Sequence, residues 1–325
     1  MSWQLQALKF YLRYRVRNRL RADMDVSLVR TMMEKTTARF PPPPPHVRIL
    51  PVMAGGRPAE WVEVDDGRPV LEVPVIMYLH GGGFVCGSPK THRAMTWRLA
   101  EAAGARVFAL DYRLAPEHPC PAGIDDAVVA YRWLLERQGI SPTRIALAGD
   151  SAGGGLAIAM LHRLKAEGLP MPASMVGFAP WVDLEMSGDS LTFNADNDPL
   201  LQPHFTKPAA EVYRAGGDDI ALLASPLNGD HSGLPPTLLQ VGSTEILLDD
   251  SRRLAEELRK AGVDVTIEIW PDFPHVAQMF AFFLPEGRDA LAGAGQFIAK
   301  HWKTAEIVDQ VKPPAAPAPT VLKAA

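Results

Sequence analysis

The stretch Arg144-Ile-Ala-Leu-Ala-Gly-Asp-Ser-Ala-Gly153 predicts a strand, a sharp turn and the start of a helix. Arg144–Ala148 is a short apolar run typical of a buried strand, and Ala152–Glu167 is an apolar segment long enough for a helix. The turn between them has the pattern G-x-S-x-G, with Ser151 at its centre. Such a turn strains the backbone of the serine and needs small residues on either side. The helix would point its N-terminal N–H groups and positive dipole end at an anion formed beside Ser151.

The alternation of strand and helix continues on both sides of this unit. The other predicted strands are Val73–Leu79, Ala105–Leu110, Met175–Ala179, Thr237–Val241 and Val265–Trp270. The other predicted helices are Thr91–Ala103, Asp125–Arg137, Asp249–Ala261 and Arg288–Trp302. This alternation implies right-handed crossovers and a mostly parallel sheet with helices on both faces. An antiparallel pair, Val47–Val52 with Trp61–Val64, is expected at the edge of the sheet.

The composition is that of an ordinary globular enzyme, with 47% apolar and 22% charged side chains over 325 residues. Thirty-three basic and thirty-seven acidic side chains give a formal charge of −4, which argues against a nucleic-acid-binding protein. Cys86 and Cys120 are the only cysteines, and their spacing suits neither a disulfide scaffold nor a metal site. The sequence has no secretory signal and no uninterrupted apolar span, so a cytoplasmic protein is expected.

The N-terminal segment differs in charge from the rest of the chain. The first thirty residues carry seven basic and two acidic side chains, a local charge of +5, whereas the remainder carries −9. Apolar residues recur there at spacings of three and four, at Leu5, Leu8, Leu12, Val16 and Leu20. This spacing predicts an amphipathic helix. A helix packed on the body of the protein with a solvated basic face is favoured, and binding to a membrane surface is the alternative. Pro41–Pro45 then forms a stiff linker.

A second motif, His80-Gly-Gly-Gly-Phe84, follows the predicted strand Val73–Leu79. Three consecutive glycines let backbone N–H groups turn toward a bound oxygen, as in an oxyanion-binding loop. A phosphate-cradling loop is the alternative, but neither G-x-G-x-x-G nor G-x-x-x-x-G-K-[ST] fits these residues. Ser151 lies 71 residues after His80, and the two motifs are far more specific together than either is alone.

Four motifs occur in the order in which one enzyme family carries them. They are His80-Gly-Gly-Gly-Phe84, Asp111-Tyr-Arg-Leu-Ala-Pro-Glu-His-Pro119, Gly149-Asp-Ser-Ala-Gly-Gly154 and Pro180-Trp-Val-Asp-Leu184. On these residues the chain resembles the hormone-sensitive-lipase-like esterases of the α/β-hydrolase fold, which form family IV among the bacterial lipolytic enzymes. The resemblance implies a mostly parallel central sheet flanked by helices and covered by a helical cap. It also implies cofactor-free hydrolysis of short- to medium-chain acyl esters.

The resemblance covers roughly residues 45 to 302 and implies a division of the chain. Residues 1–44 would hold N-terminal cap helices and the proline linker, and residues 184–222 would be a cap insertion at the carboxyl edge of the sheet. Residues 45–183 and 223–303 would form the two parts of the hydrolase core. Residues 304–325, rich in proline and alanine, are expected to form a disordered tail because they cannot bury enough apolar surface.

A nucleophilic serine needs a base, and nine histidines compete for that role. His275 follows the last predicted strand, where the chain order serine, acid, histidine places the base. His80 is expected to anchor the oxyanion loop rather than to move protons. Surface or packing roles are expected for the other seven, which are His46, His92, His118, His162, His204, His231 and His301.

The acid is expected in the loop after Thr237–Val241, where the chain departs from the family pattern. The family motif Asp-Pro-Leu-x-Asp aligns its first acid with Glu245 and its last with Asp249, so Glu245 is predicted to orient the imidazole. Asp249 is the alternative, although Asp249 and Asp250 also suit the start of a helix. Backbone N–H groups of Gly82, Gly83 and Ala152 are predicted to bind the oxyanion.

Several functions fit these residues. A serine carboxylesterase acting on a small-molecule ester is favoured. A peptidase or amidase would use the same triad with a differently shaped pocket. The resembled family also includes small-molecule receptors that keep the fold but lack a working triad histidine, and the presence of His275 argues against that function here. The sequence leaves open the natural acyl and alcohol groups and the oligomeric state, a homodimer included.

Overall fold

A single sheet runs through the computed structural model, which describes residues 1–19, 25–217 and 220–302. Its strands are β1 Val47–Ala54, β2 Arg57–Val64, β3 Val75–Leu79, β4 Arg106–Leu110, β5 Ile145–Asp150, β6 Ser174–Phe178, β7 Thr237–Gly242 and β8 Val265–Trp270. Across the sheet they follow the order β1-β2-β4-β3-β5-β6-β7-β8. The pairs β1–β2 and β2–β4 are antiparallel, and every pair from β4 to β8 is parallel. The mostly parallel sheet and its antiparallel edge are therefore confirmed.

Helices cover both faces of the sheet. They are α1 Trp3–Tyr11, α2 Val26–Thr37, α3 Pro89–Ala103, α4 Ala122–Glu136, α5 Ala152–Ala166, α6 Ser190–Phe193, α7 Pro203–Arg214, α8 Ala221–Ala224, α9 Leu248–Lys260 and α10 Pro285–His301. Side chains alternate between the faces along each strand, so that Met77 belongs to an apolar cluster with residues of α4, α5 and α9, whereas Tyr78 belongs to one with residues of α3 and α10. Two apolar layers thus enclose the sheet, as its parallel strands require.

The sequence predicts the core elements to within three residues at each end, with one exception. β2 begins at Arg57, four residues before the expected Trp61. Gly55 and Gly56 both have positive φ and form a tight hairpin turn, so the ladder starts directly after them. Helix α10 starts three residues early because Pro285 occupies its first turn, where a proline is tolerated.

The N-terminal segment packs on the body of the protein. Leu5, Leu8 and Leu12 are buried in one apolar cluster with Phe273 and Leu284. The favoured interpretation of the leucine stripe is confirmed as far as Val16, and Leu20 lies outside the described residues. The outer face differs from the expected basic one because it also carries exposed aromatic rings, at Trp3, Phe10, Tyr11 and Tyr14.

Among the described residues, no helix is long and apolar enough to cross a membrane. The tail predicted at 304–325 lies outside the described residues. The stretch 184–222, in which we expect one weak helix, contains the four-residue helix α6, the twelve-residue helix α7 and the first two residues of α8. Residues 218–219 lie outside the described part of the chain.

Candidate active site

Ser151 lies at a sharp turn between β5 and α5. Its backbone has φ 51° and ψ −124°, a conformation that L-residues rarely adopt and that the G-x-S-x-G motif predicts. A Cβ atom on Gly153 would lie 2.1 Å from the carbonyl oxygen of Leu79, and one on Gly149 would lie 2.5 Å from that of Gly153. The glycines therefore let α5 start close enough to β5 and β3 to hold the serine at the top of the sheet.

His275 reaches Ser151 from the loop after β8. Its Nε2 atom lies 2.9 Å from the Ser151 Oγ atom. Both side chains are almost fully buried, at 6% and 8% exposure. The two residues are 124 positions apart in the chain, and they meet because β5 and β8 end at the same edge of the parallel sheet.

Glu245 completes a hydrogen-bonded chain. Its Oε2 atom lies 2.6 Å from Nδ1 of His275, and its Oε1 atom accepts a 2.6 Å hydrogen bond from the backbone N–H of Gly242. Because an ionised carboxylate only accepts hydrogen bonds, Nδ1 carries the proton of the neutral imidazole. Nε2 is then free to accept the hydrogen bond of the Ser151 hydroxyl.

Asp249 and Asp250 face away from this chain of hydrogen bonds. Asp249 is in the first turn of α9, as expected, and its Oδ2 atom accepts a 2.8 Å hydrogen bond from the backbone N–H of Ser190. Asp250 is fully buried and accepts hydrogen bonds of 2.9 Å and 3.0 Å from the backbone N–H groups of Val182 and Asp183. Both carboxylates therefore tie α9 to other segments as well as suiting its N-terminus.

The charge of Glu245 affects the pKa of His275. Burial lowers the pKa of this imidazole, but the negative charge of Glu245 and the hydrogen bond to it act in the opposite direction and prevail. The pKa of His275 is therefore raised above its ordinary value. An imidazole in this state is a good proton acceptor at neutral pH and is stabilised when it becomes charged.

The glycine-rich loop after β3 lies beside Ser151. Gly82 and Gly83 have φ of 122° and 62°, and both line the cavity that contains Ser151. Within the described part of the chain, their backbone N–H groups form no hydrogen bond, nor does that of Ala152, the first residue of α5. Three donors are thus unused around the serine.

His80 is buried behind this loop. Its ring stacks on Tyr112 with centroids 4.3 Å apart, and its Nδ1 atom lies 2.9 Å from the carbonyl oxygen of Gly81. The Tyr112 hydroxyl donates a 2.6 Å hydrogen bond to the carbonyl oxygen of His80. Burial lowers the pKa of His80 to about 3, so the imidazole is neutral and uncharged at physiological pH. These contacts suit an anchor of the loop.

A buried network that was not predicted from the sequence includes Asp150, the residue between Gly149 and Ser151 in the serine motif. Asp150 Oδ1 accepts hydrogen bonds from the backbone N–H of Gly81 at 2.9 Å and from the Tyr78 hydroxyl at 2.7 Å. His92, for which we expected a surface or packing role, is buried with Nε2 3.4 Å from Asp150 Oδ2. Asp150 therefore ties the glycine-rich loop to the serine turn. The only signal in the sequence is an acid directly before Ser151.

An apolar cavity of about 230 Å³ opens onto Ser151 and His275. Leu12, Val29 and Met33 of the N-terminal segment contribute to its wall. Leu201 and Phe205, from the stretch 184–222, contribute another part. Cys86 also faces it, and burial raises the pKa of that thiol to about 12. The cavity offers a ligand an apolar environment with few polar groups.

The fold and the serine site are those of an α/β-hydrolase, and comparison with known proteins gives the same class. Residues 76–279 match the model of a family described as having the alpha/beta hydrolase fold, and the chain belongs to that family. It is similar to an acetyl-hydrolase from Streptomyces hygroscopicus, with 49% identity over 76% of this chain and 81% of the relative. An esterase from Acinetobacter venetianus is 36% identical over 91% of this chain and 96% of its own length.

Among solved structures, the chain is similar to an esterase from the bacterial hormone-sensitive lipase family. The identity is 44%, the TM-score is 0.87, and the match covers 93% of this chain and 99% of the other. The chain is thus a member of the hormone-sensitive-lipase-like esterases, and the resemblance drawn from its motifs is confirmed.

Proposed function

We propose that this protein is a serine carboxylesterase that hydrolyses short- to medium-chain acyl esters. The observation that carries the proposal is the continuous hydrogen-bonded chain from Glu245 through His275 to Ser151, at the floor of an apolar cavity. Its similarity to an esterase and an acetyl-hydrolase supports the choice of an ester as substrate.

Each member of the proposed triad has a separate task. Ser151 Oγ attacks the ester carbonyl while Nε2 of His275 accepts its proton. Glu245 holds the imidazole by its Nδ1 atom and stabilises the positive charge that forms. The imidazolium then gives the proton to the leaving alcohol, which leaves an acyl group on Ser151. A water molecule, activated by the same imidazole, hydrolyses this acyl-enzyme.

The tetrahedral intermediates place a negative charge on the former carbonyl oxygen. The unused backbone N–H groups of Gly82, Gly83 and Ala152 are the proposed donors to this oxyanion. Ala152 starts helix α5, so the positive end of the helix dipole adds to the stabilisation. One such donor is typically worth roughly 10²–10³ in kcat.

Two segments outside the sheet are proposed to act as a cap. Residues 1–44 and 184–222 both contribute apolar side chains to the cavity wall, whereas the sheet and its loops supply the reacting groups. A roof made of these segments would exclude water from the acyl chain and limit its length.

The proposal is tested with p-nitrophenyl esters of increasing acyl length, together with the matching p-nitroanilides. We expect turnover of the esters, with a maximum at short to medium chains, and little turnover of the anilides. Ser151→Ala should abolish turnover with an unchanged circular dichroism spectrum, because only the attacking oxygen is removed. Comparable anilide turnover would favour an amidase. A protein that binds esters, hydrolyses neither series and resists labelling of Ser151 by a fluorophosphonate would be a receptor.

A further inference from the structure

A second carboxyl group is buried next to the Glu245–His275 pair. Asp198 lies between α6 and α7 and is 0% exposed. Its Oδ1 atom accepts hydrogen bonds from the backbone N–H groups of Leu200 at 2.8 Å and Leu201 at 2.9 Å. Its Oδ2 atom accepts a 3.0 Å hydrogen bond from the backbone N–H of Ile246. No lysine or arginine side chain pairs with this carboxylate within residues 1–19, 25–217 and 220–302. Burying a carboxylate without a paired cation is costly, and the three backbone hydrogen bonds offset part of that cost.

The peptide group between Glu245 and Ile246 is held at both ends by the stretch 184–222. Asp198 binds its N–H, and the Asn194 side chain donates a 2.9 Å hydrogen bond to its carbonyl oxygen. The same Asn194 amide donates a 3.1 Å hydrogen bond to the carbonyl oxygen of Ser243. Next along the loop, the Ser190 hydroxyl donates a 2.7 Å hydrogen bond to the carbonyl oxygen of Ile246. The backbone that carries Glu245 is thus fixed from outside the sheet.

The N-terminal segment also forms hydrogen bonds with the turn that carries Asp198. Arg17, which is 9% exposed, donates hydrogen bonds to the backbone carbonyl oxygens of Asp198 at 2.6 Å and Ala195 at 3.0 Å. A path of hydrogen bonds therefore runs from the N-terminal segment through the turn at Asp198 to the loop of Glu245.

We propose that Asp198 is a positioning residue, which fixes the Glu245–Ile246 peptide and thereby the geometry of the Glu245–His275 hydrogen bond. The inference rests on the proposed function, because it assigns Asp198 a part in the reaction of that triad. The segments that line the cavity are thereby connected by hydrogen bonds to the Glu245–His275 pair. A displaced turn at Asp198 should therefore misorient the imidazole of His275.

The electrostatic setting agrees with this role. Burial and the nearby charge of Glu245 raise the pKa of Asp198 to about 6, and the N–H donors and the charge of His275 oppose the rise. Asp198 is thus ionised at neutral pH, where its charge adds to that of Glu245 in raising the pKa of His275. The charged and titratable groups around it are Glu245, His275 and the Arg17 guanidinium, which contacts its backbone carbonyl oxygen, and its carboxylate oxygens accept only backbone N–H groups among the described residues.

Asp198→Asn tests the proposal, with Asp196→Asn as a matched control. An asparagine keeps the size of Asp198 but presents an amide N–H₂ to one set of its donors and removes the charge. We expect kcat to fall about 10–100-fold with little change in KM, because a misplaced supporting group costs about that much. The acidic limb of the kcat profile should move to lower pH. Asp196 lies on the same turn with a fully exposed side chain, and its ion pair with Arg17, at 3.9 Å, is solvated and weak, so its substitution should change neither.

A double-substitution cycle shows whether Asp198 acts through Glu245. If it does, Asp198→Asn should cost little in kcat when Glu245→Gln is already present, whereas independent effects would multiply. Should Asp198→Asn fail to fold, Asn194→Ala removes the other half of the peptide clamp and should lower kcat without moving the pH limb, since it carries no charge. A folded Asp198→Asn with native kcat and pH profile, or one that raises only KM, would overturn the inference. Inactivity of the wild-type protein on esters would instead count against the proposed function.

Discussion

The Oε2 atom of Glu245 lies 2.6 Å from Nδ1 of His275, and the two side chains are 1% and 6% exposed. Four residues further along the chain, Asp249 bonds to the backbone of Ser190. The two acids that could align with the family motif thus lie in different surroundings. One contacts the imidazole, and the other joins α9 to the first residue of α6.

Glu245→Gln should lower kcat by about 10⁴, as the equivalent loss of charge does in a related triad. The glutamine would present an amide N–H₂ to Nδ1 and favour the tautomer in which Nε2 carries the proton. That tautomer cannot accept the proton of Ser151. Steady-state kinetics on a short p-nitrophenyl ester, with folding checked by circular dichroism, measures the loss.

Asp249→Asn is the matched control, because it makes the same chemical change four residues away. It weakens the hydrogen bond from Ser190, which should cost roughly 0.5–1.5 kcal/mol in the free energy of unfolding and leave kcat nearly native. Thermal melting and kinetics on the same sample separate the two effects. A larger loss of kcat in Asp249→Asn than in Glu245→Gln would assign the acid to Asp249.

The sheet, its helices and the serine turn could be predicted from the sequence because each depends on local patterns. Periodicity gives strands such as Val265–Trp270, and glycines on either side of Ser151 indicate a sharp turn. Asp198 could not be found in this way. It lies among Gly, Asp, Asn and Pro residues that indicate only irregular structure, and its partner Ile246 is 48 positions away. Contacts of that kind depend on how two loops meet, which no local pattern encodes.

Catalysis should depend on the titration of His275. Only the neutral imidazole accepts the proton of Ser151, so activity should rise with pH through the pKa of His275. Because that pKa is raised above the ordinary 6.5, the midpoint of the acidic limb of kcat should lie above pH 6.5. Glu245→Gln should shift the acidic limb of any residual activity to lower pH. Burial then lowers the pKa of His275 without the opposing charge of Glu245. A flat profile from about pH 5 to 8 would rule out His275 as the base.

Gly153→Ala should destabilise the protein, although alanine is normally the better helix former by about 1 kcal/mol. The added Cβ atom would lie 2.1 Å from the carbonyl oxygen of Leu79 and 2.5 Å from that of His80, and neither backbone atom can move aside easily. This clash would push the serine turn away from the glycine-rich loop, which should also lower kcat.

Gly293→Ala provides the comparison for the same substitution in a helix. Gly293 lies within α10, and its nearest neighbours would be 3.9 Å from the new Cβ atom. This variant should be stabilised by roughly 0.5–1 kcal/mol. Urea unfolding of the two variants beside the wild type tests the contrast, and equal stabilisation of both would contradict the packing argument.

We expect loss of the N-terminal segment to change ester turnover more than it changes membrane binding. Deletion of residues 1–40 removes Leu12, Val29 and Met33 from the cavity wall, so kcat/KM should fall or the preferred acyl length should change.

A triple alanine variant is the control, because it removes three outward-facing rings and leaves the cavity wall intact. The substituted residues are Trp3, Phe10 and Tyr14. The triple variant should keep the chain-length profile of the wild type on soluble p-nitrophenyl esters. Sedimentation with phosphatidylglycerol vesicles tests the membrane alternative for both variants. If the truncated protein keeps native kinetics but loses vesicle binding, and the triple variant loses it too, the exposed aromatic and basic face is a membrane-binding surface rather than the outer side of a cavity wall.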